Sequence, residues 1–135
     1  MNRVLIRVDG SQANLGALKA FLAERRGSVD RVELLNVQPR LSRHVARFLP
    51  KDGRDGWRQE RAAQALEPAR RLVESAGIAC RTHAGVGPAD RVVADTARLL
   101  GVNEVVLGTP QRDLLERYAA PVGFGLAVLA LAADD

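Results

Sequence analysis

Cysteine is all but missing from this chain of 135 residues, where Cys80 stands alone. No intrachain disulfide can form, and a reducing compartment is the expected setting. Histidine is nearly as scarce: only His44 and His83 occur, and His83 has no second histidine or cysteine at metal-ligand spacing, so no metal site is expected. The few aromatic residues (Phe21, Phe48, Trp57, Tyr118 and Phe124) do not interleave with basic ones as a base-stacking platform requires. Lysine is confined to Lys19 and Lys51, so the net charge of +4 comes from arginines scattered among 16 acidic residues rather than from a basic stripe. That distribution argues against nucleic acid as a partner. No apolar run is long enough to cross a bilayer, and there is no charged-then-apolar leader. A soluble, cytoplasmic protein without a membrane partner is expected. The spacing also shows no paired carboxylates, no Ser/His/Asp constellation and no metal set, so the chain is not expected to be an enzyme.

What is present is organised around Arg3–Ser11, R-V-L-I-R-V-D-G-S. Its nearly continuous apolar run is that of a strand buried on both faces, and Asp9-Gly10-Ser11 supplies turn and capping chemistry ahead of a helical pattern. Helix one is expected over Gln12–Arg26, stopped by Gly27, and strand two over Arg31–Val37. Leu41–Gly56, with Pro50, Gly53 and Gly56, reads as a long surface connection with a short helical turn around Ser42–Phe48, a stretch outside the residues described below. Helix two follows over Trp57–Ala76 with Pro68 inside it, where a kink is expected. Strand three, Ile78–Ala84, alternates in polarity as an edge strand does, which makes His83 a surface residue. Pro88 suits the first position of helix three, which Gly101 ends. Strand four spans Asn103–Thr109, a short helix four spans Arg112–Ala120, and the last strand is Leu126–Leu131. The order βαβαβαβαβ with right-handed crossovers predicts one domain over residues 1–135, built on a parallel sheet.

Four pieces in order, V-L-I-R-V-D-G-S at Val4–Ser11, V-E-L-L-N-V-Q-P at Val32–Pro39, G-V-G-P-A-D-R-V-V at Gly85–Val93 and N-E-V-V-L-G-T at Asn103–Thr109, make the chain resemble a universal stress protein domain along nearly its whole length. The resemblance implies a Rossmann-like α/β fold: an open five-stranded parallel sheet in order 3-2-1-4-5 with two helices on each face, usually homodimeric. The apolar last strand Leu126–Leu131 is the expected dimer edge.

Many members of that family bind ATP through a glycine-rich motif after strand four, whose backbone N–H groups close around the phosphates. Gly108 matches its first glycine, but Gln111 stands at the second, and Arg112–Pro121 (R-D-L-L-E-R-Y-A-A-P) holds no Gly-Ser. Losing two or three such contacts, each worth roughly 1.5–3 kcal/mol, weakens binding by about a hundredfold or more. No ATP cofactor is therefore expected. The resemblance leaves a degenerate nucleotide site at Asp9, Val37, Leu107, Gly108 and Thr109, where Asp9 is either an adenosine contact or only a turn-forming, capping carboxylate. Arg7 stands where the family carries a small residue or proline. It either enters the cleft, pairing with an acid or an anion, or extends out of the sheet's end into solvent. Three functions remain: a non-catalytic stress-response homodimer acting through an unknown protein partner, a sensor binding AMP or ATP through the surviving half-site, and, with the weakest support, an anion- or nucleic-acid-binding module driven by the arginine excess.

Overall fold

A computed structural model describes residues 2–39, 51–108 and 127–131. Its elements in chain order are β1 (Arg3–Arg7), α1 (Gln12–Arg25), β2 (Arg31–Gln38), α2 (Lys51–Ser75), β3 (Ala79–Val86), α3 (Ala89–Leu100), β4 (Glu104–Gly108) and β5 (Ala127–Leu131). The strands form one sheet in the order β3-β2-β1-β4-β5, and every pairing is parallel. β1 is central because its residues 4–6 are apolar on both faces: Val4, Leu5 and Ile6 are all fully buried.

The alternation of the strands sends these residues to two cores. Val4, Ile6 and Val8 pack with Leu18 and Phe21 of α1 and with Leu66, Ala69 and Val73 of α2 on one face. Leu5, Leu35 and Val37 pack with Val93, Ala94 and Ala97 of α3 on the other. Three helices are thus described, two on the first face and one on the second. The fourth expected helix, Arg112–Ala120, lies outside the described residues, so the expectation of two helices on each face extends beyond what the structure describes.

Several local expectations change. The helix after β2 begins at Lys51 rather than Trp57, so residues 51–56 of the expected surface connection are helical. Each glycine in a helix costs only about 1 kcal/mol, and extending an existing helix is cheaper than nucleating one, so Gly53 and Gly56 do not stop it. As expected, Pro68 lies inside this helix. Pro88 is the N-cap of α3, extended and without a side-chain cap bond, rather than its first helical residue. At the other end, Gly101 takes the left-handed conformation (φ 63°) that closes α3.

Candidate functional site

In a doubly wound sheet the ligand crevice lies beyond the carboxyl ends of the strands, where the strand order reverses. Here that point is between β1 and β4, and the turn after β1 is its best-described wall. The turn is knitted by four bonds. The Ser11 backbone N–H donates to Asp9 Oδ1 (2.8 Å), and the Asp9 N–H donates to Asn14 Oδ1 (3.2 Å). Asn14 Nδ2 donates to the Arg7 carbonyl (3.2 Å), and the Asn14 N–H donates to Ser11 Oγ (3.1 Å), making Ser11 the N-cap of α1. Asp9 therefore has a turn-forming role through one oxygen. Its Oδ2 makes no hydrogen bond to the described residues and the side chain is exposed.

Gly10 has φ 84°, and a Cβ built on it would lie 3.3 Å from Cα of Ala65. Glycine at this position lets α2 close against the turn. Beside that contact is a small polar pocket of about 180 Å³, lined by Asp9, Gly10, Gln38, Arg61, Gln64 and Ala65. Gln38 ends β2 and is 9 % exposed. Its Nε2 donates to Asn36 Oδ1 (2.6 Å), and Asn36 Nδ2 donates in turn to the Val8 carbonyl (2.9 Å). This relay ties the end of β2 to β1 and holds the Gln38 amide in place. A second pocket of about 240 Å³, lined by Gln38, Arg58, Gln59, Ala84, Gly85 and Val86, adjoins it at Gln38.

The other expected site residues are placed differently. Val37 is buried in the core on the α3 face. Leu107 and Gly108 end β4, in register with Ala130 and Leu131 of β5, and Thr109 lies outside the described residues. Arg7 ends β1 and by alternation faces the α3 side, away from the Asp9 pocket. It is half-buried, with its Nε buried and without a hydrogen-bond partner, and no carboxylate among the described residues pairs with it. The structure thus brings Asp9 together with Gln38, Arg61 and Gln64, none of which the sequence singled out. Only the spacing of Arg61 four residues before Ala65, on one stripe of α2, offered a signal for them.

A second cluster also escaped the sequence. Glu33 of β2 is buried (1 % exposed) and accepts two hydrogen bonds at Oε1, from Arg81 Nε (3.0 Å) and Nη2 (2.7 Å). His83 Nε2 lies 2.6 Å from Glu33 Oε2, and Arg31 Nε is 3.4 Å from Oε1. His83 is therefore a half-buried hydrogen-bond partner of a buried carboxylate rather than a simple surface residue. Burial pushes the Glu33 carboxyl up, but the hydrogen bonds and charges of His83 and Arg81 outweigh it and hold the group below the usual carboxylate range. Every polar atom of Glu33 is engaged, which marks a structural cluster rather than a catalytic acid. Cys80, next along β3, has its thiol pushed up to about 11, mainly by burial, so it stays protonated at neutral pH.

A parallel open sheet with its crevice at a reversal of strand order, walled by Asp-Gly-Ser, defines a doubly wound α/β protein. The model of the Universal stress protein family matches residues 1–121, and the chain belongs to that family. A crystal structure of a protein from the universal stress protein family from Burkholderia pseudomallei superposes with a TM-score of 0.73 at 22 % identity, over 98 % of this chain and 96 % of that one. A universal stress protein family protein from Arabidopsis thaliana with AMP bound gives 0.67 at 15 % identity, over 99 % and 94 %. The universal stress protein from Archaeoglobus fulgidus in complex with dAMP gives 0.65 at 16 %, over 97 % and 98 %. No curated protein matches the chain in sequence. Among the described residues no helix is long and apolar enough to cross a membrane.

Proposed function

We propose that this protein is a non-catalytic universal stress protein that binds a small adenine nucleotide at the carboxyl ends of β1 and β2 and acts as a homodimer through a protein partner. The observation that carries the reading is the Asp9 pocket. The family's turn is intact, one carboxylate oxygen is spent on the turn, and the other is free beside a positioned amide and a cation. The relatives of known structure bound to AMP and dAMP are monophosphate complexes. The glycine positions that would wrap a triphosphate are replaced here by Gln111 and by Arg112–Pro121. A monophosphate is accordingly the ligand, and ATP binds more weakly. Among the described residues Asp9 is engaged by the turn and the Cys80 thiol is held protonated, which fits a binding role.

Titration calorimetry with AMP, cyclic AMP and ATP tests this directly. AMP is expected to bind with Kd in the micromolar range, about −7 kcal/mol, and more tightly than ATP. No heat with any of the three overturns the nucleotide reading and leaves a scaffold that works through its partner alone.

A further inference from the structure

Arg61 differs from the helical arginines of this chain that pair with carboxylates. Arg70 has Glu67 three residues before it and Glu74 four after, and pairs with both; Arg71 pairs with Glu67, and Arg98 with Asp95. The residues at the same offsets from Arg61 are Arg58 and Ala65, and no carboxylate among the described residues pairs with it. Its guanidinium carbon lies 5.0 Å from the centroid of the Trp57 ring, one helical turn away. Stacking on an indole orients the guanidinium and limits its freedom without neutralising it.

Trp57, Arg61 and Ala65 form one stripe of α2 at intervals of four. The Gly10–Ala65 approach sets that stripe over the β1–α1 turn, which brings Arg61 to the wall of the pocket holding Asp9. Asp9 and Arg61 line one pocket but do not pair with each other. The pocket therefore offers acceptors at Asp9 Oδ2 and the Gln38 amide, and a preoriented cation at Arg61. A ligand that matches has hydroxyl donors at one end and an anion at the other. We propose that Arg61 is the anion-pairing residue of this pocket and takes the phosphate of a nucleoside monophosphate whose sugar hydroxyls meet Asp9. This rests on the nucleotide reading above and adds to it a phosphate contact from α2. About 180 Å³ suits a sugar and one phosphate rather than a triphosphate chain.

Trp57 is the chain's single tryptophan, so its emission reports on the stacked guanidinium. The test titrates AMP, adenosine and inorganic phosphate into the full chain, wild type and Arg61→Gln, by calorimetry and Trp57 fluorescence. Arg61→Lys retains a charge without the planar fork, and circular dichroism confirms that the variants are folded. The expected result is that Arg61→Gln weakens AMP about tenfold or more, while adenosine binds within about twofold of wild type and Arg61→Lys falls between. AMP is expected to shift Trp57 emission in the wild type. If phosphate alone shifts the emission of wild type but not of a folded Arg61→Gln, and AMP is no tighter than phosphate, the anion contact stands and its source is free phosphate. If AMP binds Arg61→Gln as tightly as wild type, the Arg61 assignment is overturned while the nucleotide reading survives. If neither adenosine, AMP nor phosphate binds wild type, both are overturned.

Discussion

Glu33 shows how a single residue can dominate its surroundings. A carboxylate in the middle of R-V-E-L-L-N-V costs several kcal/mol to bury alone, and it is tolerated because Arg81 and His83 of β3 surround it. Its folded-state pKa is depressed, so the stability it contributes is present above the unfolded carboxylate pKa and is lost as pH falls through the folded value. Glu33→Gln removes the charge-assisted bonds while keeping the shape. The variant should lose about 1.5–3 kcal/mol at neutral pH in urea unfolding. The gap between variant and wild type should close as pH falls below the ordinary carboxylate range. A gap that is constant with pH would show that packing, not charge, is what Glu33 supplies. In the sequence Glu33 was legible only as an odd acid in an apolar strand, because its partners lie 48 and 50 residues away and meet it only through the β2–β3 register.

At the scale of elements, two glycines test two different constraints. Gly101 closes α3 with φ 63°, its N–H donating to the Ala97 and Arg98 carbonyls, and a Cβ there meets nothing nearer than 4.0 Å. Gly101→Ala should therefore cost only the left-handed strain, about 1 kcal/mol in a thermal or urea melt. Gly85 has ordinary backbone, but a Cβ there would sit 2.5 Å from Val92 Cγ1, where β3 meets α3. Gly85→Ala should cost about 1–3 kcal/mol through overpacking, and Val92→Ala in the same chain should recover most of it. Without that recovery, the close approach of β3 and α3 is not the cause. The first constraint was readable, since a glycine after a helical apolar stripe is a stop signal; the second was not, since it depends on how one helix lies on one strand. The start of α2 was misread for a related reason: local glycines signalled a loop, whereas helix propagation from Trp57 backward overrode them.

The whole molecule rests on two cores separated by one sheet, with β3 and β5 at its two edges. β3 carries Arg81 and His83, the kind of charged residues that blunt an edge, while the expected pairing strand Leu126–Leu131 is uniformly apolar. If that strand pairs with its copy, light scattering at micromolar concentration should give about twice the 14.6 kDa chain mass. A mass matching one chain would remove the homodimer from the proposed function without touching the nucleotide pocket.

Among the described residues the sequence by itself determined where the strands and most of the helices lie and where most of them stop, because periodicity, capping and glycine chemistry act within a few residues. Its four ordered motifs also identified the family. Only the tertiary structure decided that Arg7 and Val37 face away from Asp9, and that Gln38, Arg61 and Gln64 gather beside it. It also decided that Glu33 has three basic neighbours. Those outcomes depend on which face each strand presents and on how closely α2 approaches the first turn, and both are set by contacts between residues far apart in the chain.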